Sequence, residues 1–328
     1  MRINKYLSCA LLLASACGLV SGSHAQTAAP YPDKPIHIVV PYGAGGGPDV
    51  LARVVGQQIA ASLKQAVVID NKPGANGIIA AQMVAKAAND GYTLFVADTG
   101  HLAINPALYS KLPYDPVSDF ATISLATLTP LFLLVNSKLP VTNFAQFLEY
   151  ARKNSGKMSY GSSGNGSPHH LAMELFKSMA RLDIAHIPYK GVAESVPALL
   201  GGQIDVMFAA LPSVASSIQA GRLRVLAVST SQRSSLMPEV PTVAEAGLAG
   251  YEMVSRIGFL APAGTPKDRL DRLNADINQA LINPEIARKL PSLGMELIGS
   301  SPQAYAEVIR SDKAKFQKIV STIGIKID

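Results

Sequence analysis

Hydrophobic and polar positions fall into short blocks whose period changes along the chain. Ile36-His37-Ile38-Val39-Val40 is a β-rich run, followed at once by a glycine-rich stretch over residues 41–49. Beyond it Leu51, Val54, Val55, Ile59 and Leu63 recur at spacings that place them on one face of a helix. The succession returns as a strand over 67–70, a Pro-Gly-Ala-Asn-Gly loop, a helix over 78–88 and a strand over 92–97. Strands alternating with amphipathic helices predict α/β architecture, with mainly parallel sheet flanked by helices. A break falls at Leu112-Pro113-Tyr114-Asp115-Pro116, and residues 123–135 then read as extended chain crossing into a second unit.

The second unit repeats the scheme. A helix over Phe144–Lys153 leads to a strand over 158–160, a Gly/Ser loop over 161–167 and a helix over Pro168–Ala180. Strands at Ala185–Pro188, 205–209 and 224–228 alternate with helices at 195–200 and 214–220. The C-terminal part is more helical. Thr265-Pro266-Lys267-Asp268 and Ser301-Pro302 each offer a hydroxyl cap before a proline at the first helical position.

Composition narrows the class. A chain of 328 residues with 48% hydrophobic residues has ample material for a buried core and for two domains. Net charge is +6, but the basic residues are scattered with no run of four, so no nucleic-acid footprint is expected. Arg2 and Lys5 precede an apolar stretch from Leu7 to Val20, and Ser23-His24-Ala25 supplies small residues at the −3 and −1 positions. This predicts a signal peptide cleaved after Ala25 and an exported mature chain. Both cysteines, Cys9 and Cys17, fall in that leader, so the mature chain is expected to have no disulfide, no thiol nucleophile and no thiolate-bound metal. A lipoprotein cysteine at Cys17 is the competing reading; it lacks the large aliphatic residue expected where Ala14 stands.

Two glycine-rich loops carry the chemistry, one in each half, each after a strand and opening a helix. A helix N-terminus presents free N–H groups and about half a positive charge, which suits a carboxylate or phosphate. In open parallel sheets such turns lie at the carboxyl ends of strands, where ligands bind. Ser162, Ser163, Asn165 and Ser167 add side-chain donors, although turn and cap roles also explain them. A dinucleotide fingerprint is incomplete: Gly43-x-Gly45 follows a strand and Asp70 ends the next one, but Pro48 replaces the third glycine. Enzyme signatures are thin, with neither a Gly-x-Ser-x-Gly elbow nor His-Glu-x-x-His. His169 and His170 are adjacent and point apart on a helix, and His170 with Glu174 lacks a third ligand, so no metal and no cofactor are expected.

Several segments together carry a resemblance. Tyr31-Pro32-x-Lys34-Pro35-Ile36, the loop over 41–49, Asp90-Gly91-Tyr92-Thr93-Leu94, Leu112-Pro113-Tyr114-Asp115-Pro116 and Ser162-Ser163-Gly164-Asn165-Gly166 are similar to the Bug-type receptors. So are Ile104-Asn105-Pro106, Ile187-Pro188-Tyr189-Lys190-Gly191, Val240-Pro241-Thr242-Val243-Ala244-Glu245-Ala246-Gly247 and Leu260-Ala261-Pro262-Ala263-Gly264-Thr265-Pro266. These are the solute-binding receptors of tripartite tricarboxylate transporters. The resemblance implies a two-lobed periplasmic-binding-protein fold with two crossings between lobes. The first lobe is expected over 26–125 and 229–328, the second over 126–228, with a small carboxylate held in the cleft between them. Tyr42, Gly43, Ala44, Gly45, Gly46 and Gly47 are then expected to contact ligand from one side. Ser162, Ser163, Gly164, Asn165, Gly166 and Ser167 are expected to do so from the other. Asp49 at the helix start and His101 after the third strand join the candidate set.

The chain departs from the family at three places: Pro48 stands where Thr or Ser is usual, Ala209 where an acid is common, and Arg256 where many members have Trp. Ala209 and Arg256 are therefore counted with the ligand positions, as a site that has lost negative and gained positive charge. The expected function is a non-catalytic receptor, acting as a monomer, that passes a small organic anion to membrane transporter subunits. The alternative is a secreted enzyme on the same scaffold, with His101 or His170 as base.

Overall fold

A computed structural model describes residues 31–324 of the chain. The expected leader, its cleavage point and both cysteines lie outside them. The chain divides into Met1–Asp33 and Lys34–Asp328. Within the first, residues 31–33 form neither helix nor strand.

The strands of Lys34–Asp328 are β1 (Ile36–Val40), β2 (Val67–Asn71), β3 (Thr93–Asp98), β4 (Phe120–Pro130), β5 (Phe132–Asn136), β6 (Ser159–Ser162), β7 (Ala185–Pro188), β8 (Val206–Ala209), β9 (Leu223–Val228), β10 (Val254–Pro262) and β11 (Glu296–Leu297). The helices are α1 (Gly47–Leu63), α2 (Ile78–Ala85), α3 (Asn105–Leu108), α4 (Phe144–Lys153), α5 (Pro168–Ala180), α6 (Val192–Gly201), α7 (Ala215–Gln219), α8 (Lys267–Leu281), α9 (Pro284–Ser292) and α10 (Pro302–Ile323). Two sheets form, in the orders β11-β4-β10-β3-β1-β2 and β7-β6-β8-β5-β9.

Both sheets are mixed. The strand–turn–helix units supply the parallel ladders β2–β1–β3 and β7–β6–β8. The long strands that carry the chain between sheets, β4 into β5 and β9 toward β10, pair antiparallel with their neighbours. Crossing strands enter each sheet from the opposite end, which turns what would be parallel sheet into mixed sheet.

The cores follow the sheets more closely than the expected residue boundaries. Residues 126–130 belong to β4 of the first sheet, and the crossing comes at Leu131. Val243, Leu248, Tyr251 and Met253, expected in the first lobe, pack in the core of the second. There the Tyr251 ring stacks on Phe208 at 5.9 Å, and its hydroxyl donates to the Ala172 carbonyl at 2.9 Å. The last helix spans both cores: Tyr305 and Ile309 lie in the first, Phe316, Ile319 and Val320 in the second.

Caps agree with the sequence in one case of two. Ser301 caps α10 through the Ala304 N–H, whereas α8 starts after Pro266 with no side-chain cap. Thr265 there donates instead to the Pro262 carbonyl at 2.7 Å.

Candidate ligand site at the facing strand ends

Strand register places the two glycine-rich loops on a common side. β10 pairs Ile257 with Asp98, the last residue of β3, and Val254 with Pro130, the last residue of β4. The carboxyl ends of β1, β3 and β4 therefore share one edge of the first sheet. A single residue, Leu131, separates β4 from β5, whose first residue Phe132 stands opposite Ala209 and Val228, the last residues of β8 and β9. β6 is parallel to β8, so its carboxyl end lies at that same edge. The carboxyl edges of the two sheets thus adjoin at Leu131, and the loops after β1 and β6 both open toward the junction.

The first loop is built from inside. Gly43, Ala44, Gly45, Gly46 and Gly47 are exposed, and Gly45 has φ +89°, a conformation that favours glycine. Asp49, at the start of α1, is buried and turns its carboxylate back into the loop. Its Oδ2 accepts from the Gly45 N–H at 2.8 Å and from Arg53 Nε at 2.9 Å. Its Oδ1 accepts from Asn71 Nδ2 at 2.9 Å and pairs with the second arm of the Arg53 guanidinium. Asn71 also donates to the Tyr42 carbonyl at 3.0 Å. Burial works against the Asp49 charge, but the Arg53, Gly45 and Asn71 hydrogen bonds outweigh it and hold the carboxyl below its ordinary range. Asp49 is therefore a brace whose oxygens are spent on the protein.

A second brace stands under Tyr42. Its hydroxyl donates to Asp98 Oδ2 at 2.5 Å, and burial, then the Asp98 charge, push the phenol well above its ordinary pKa. Asp98 Oδ1 accepts from the Gly100 N–H at 2.8 Å and lies 2.8 Å from His101 Nδ1. Burial disfavours the Asp98 charge, yet His101 and the Tyr42 hydroxyl keep its carboxyl below the usual range. His101 is 1% exposed, and a Cβ at Gly77 would come within 2.0 Å of its Nε2. The ring packs edge-on against Tyr42 and Phe95.

The second loop has a histidine framework. Ser167 caps α5 by accepting from the His170 N–H at 3.2 Å, and the His170 ring accepts at Nδ1 from the Gly166 N–H at 3.0 Å. Ser162 is buried; its Oγ accepts from the Gly164 N–H at 3.1 Å and shares a 2.7 Å hydrogen bond with His186 Nε2. Ser163 Oγ does the same with His169 Nδ1 at 2.7 Å. Asn165 sits exposed at the tip. Burial lowers all three histidines, His169 and His186 to about 4, so each is neutral at pH 7.

Two expected positions are differently placed. Ala209 ends β8, one strand from the second loop, and its methyl is buried with Phe132, Leu134 and Met207. Arg256 extends toward α10, where its NH1 lies 3.0 and 3.1 Å from the two oxygens of Asp312 and its NH2 2.8 Å from Glu252. That guanidinium is already held by two carboxylates. Asp98, Asn71 and His186 join the site without having been expected there from sequence. Asp98-Thr99-Gly100-His101 had an Asx-turn signal after its strand; His186 had none.

Glu174, four residues after His170 on α5, accepts from Tyr160 Oη at 2.5 Å and Lys177 Nζ at 2.6 Å. Asp70, the trial ribose acid, pairs with His37 Nδ1 at 2.8 Å. Among the described residues no helix is long and apolar enough to cross a membrane.

Comparison with known proteins places this architecture. The model of the tripartite tricarboxylate transporter family receptor matches residues 51–325. The R. palustris protein Rpa4515, solved with adipate, is 36% identical, with a TM-score of 0.77 over 90% of this chain and 99% of that one. MatC of Rhodopseudomonas palustris, solved with bound malate, is 30% identical, with a TM-score of 0.73 over 88% of this chain and all of the other. The periplasmic binding protein BugD is also 30% identical, with a TM-score of 0.73 over 90% and 99% of the two chains. The chain belongs to the tripartite tricarboxylate transporter receptor family, with the two-lobed fold of the Bug-type periplasmic solute-binding proteins.

Proposed function

We propose that this receptor holds a small amine-free dicarboxylate between the loops over 41–49 and 163–167, and releases it unchanged to its membrane transporter subunits. The observation that carries this reading is the adjoining of the two carboxyl edges at Leu131, which turns two glycine-rich helix starts toward one junction. Exposed backbone at such starts favours carboxylate oxygens. The carboxylates next to the first loop, Asp49 and Asp98, are spent on protein donors, so a ligand ammonium would be desolvated without a partner there. Adipate and malate in the two related receptors are of the same amine-free class. His101 and His170, the two trial bases, each have a ring nitrogen committed to the protein, which favours binding without turnover. The same reading takes the mature protein as a monomer, cleaved after Ala25, that binds no nucleic acid.

Thermal shift with a panel of acids tests it. A ligand at 100 times its Kd adds about 2.7 kcal/mol to stability, enough to move the midpoint by several degrees. Adipate, malate or a similar dicarboxylate should raise the midpoint and be recovered intact. A rise with aspartate or glutamate and none with any amine-free acid would overturn the ligand class. Consumption of the acid would restore the enzyme reading.

A further inference from the structure

The second loop is fixed through a ring that can hold it only while uncharged. His170 is the third residue of α5. Its backbone N–H goes to the Ser167 cap, and its ring returns to take the Gly166 N–H at 3.0 Å. This resembles a capping box displaced by one residue: imidazole Nδ1 takes the N–H of the residue before the cap rather than that of the cap itself. An acceptor at Nδ1 puts the proton of the neutral ring on Nε2, so a second proton must land on Nδ1 and remove the acceptor. The neighbouring ring adds to the effect. His186, on β7, stacks on His170 with centroids 4.2 Å apart and planes 16° apart, and its Nε2 holds Ser162 at the loop's other end.

The groups facing this pair are few. β6 contributes Tyr160, stacked on His186 at 4.7 Å; α5 contributes Glu174 and Lys177, paired with each other at 2.6 Å. His169 faces Ser163 in the loop. Glu174 favours a charge on either ring and Lys177 opposes it, while burial opposes it first in both.

We infer that His170 is a positioning residue for the ligand loop, and that with His186 it makes the loop's bound geometry proton-sensitive. The inference rests on the reading of that loop as a ligand contact. The sign follows from linkage. Both rings bind protons more weakly in place than when released, so the ordered loop is favoured fully above about 6.5, the ordinary histidine pKa. That advantage is lost as pH falls toward about 4, the value for His186 in place.

Three variants test this. His170→Asn keeps an acceptor near the Nδ1 position and cannot charge; His186→Gln keeps an amide partner for the Ser162 hydroxyl and cannot charge; His170→Ala removes the acceptor. Adipate titrations of wild type and variants at matched pH cancel the ionisation of the acid. Wild-type affinity should fall at least fivefold more between pH 7 and pH 4.5 than that of the His170→Asn/His186→Gln double variant. His170→Ala should lose tenfold or more at pH 7, with His170→Asn recovering most of it. Parallel wild-type and double-variant profiles, or His170→Ala with wild-type affinity, would overturn the inference. Amide exchange at Gly166 in the ligand-free protein reads the loop without any ligand. It should accelerate on acidification relative to the double variant at the same pH, and equal rates would sink the proton-sensitive loop. If adipate binds nowhere while Gly166 responds as stated, the ligand reading fails and the positioning role survives.

Discussion

Replacing Tyr42 with Phe removes one oxygen from the support of the first loop. Asp98 is 8% exposed, and the Tyr42 hydroxyl is the one donor the described residues give its Oδ2; the Gly100 N–H and His101 serve Oδ1. The substitution keeps the ring and its edge contact with His101, at 5.3 Å between centroids. What is lost is a hydrogen bond to a charged, buried acceptor, worth about 1.5–3 kcal/mol. Near the middle of that range, and at about 1.6 °C per kcal/mol for about 300 residues, the melting midpoint should fall by about 3–4 °C at pH 7. The Tyr42 carbonyl remains tied to Asn71, so the loop keeps its path and ligand affinity should change by less than tenfold. Acid supplies the control. The Asp98 carboxyl is held below its usual range, so its stabilisation is present above about pH 4 and disappears as pH falls through the folded-state value. The gap between wild type and variant should therefore narrow in acid. Calorimetric melts across pH check both points. A shift under 1 °C, or a gap that stays constant into acid, would refute the buried Tyr42–Asp98 anchor.

Gly46→Val should leave the fold intact, because Gly46 has φ −72° and a Cβ there meets nothing nearer than 3.8 Å. It should weaken carboxylate binding more than tenfold in calorimetry, since the side chain occupies the anion's approach to the α1 start. Arg256→Ala should act on stability and leave binding alone: buried Asp312 loses the guanidinium nitrogen shared by its two oxygens, at a cost of about 3–5 kcal/mol, read as a lower midpoint in denaturant with ligand affinity within threefold of wild type.

The sequence was most legible where local rules dominate. The strand Ile36–Val40, the helices Phe144–Lys153 and Pro168–Ala180, and the Ser301 cap follow from period and capping chemistry alone. Both glycine-rich loops were visible for the same reason, since strand, glycines and helix start are contiguous. β4 runs about five residues past the expected boundary: 123–135 carries no charge or glycine to mark an end, and only pairing with β10 fixes where β4 stops. Supports that act across the chain were not legible. His186 reaches Ser162 from 24 residues away, and Asn71 joins Asp49 to the Tyr42 carbonyl through a neighbouring strand. The charge of Arg256 is visible in the sequence, while its partners on α10 and at Glu252 are brought in by folding.

The central claim is that one small acid engages both loops at once. Hydrogen exchange of the receptor with and without a saturating amine-free dicarboxylate tests it most directly. Peptides covering residues 42–50 and 161–170 should both become protected, and by similar free energies, because each loop loses its open state when the acid bridges them. Protection confined to one of the two peptides, or to neither while binding is saturated, would contradict the account.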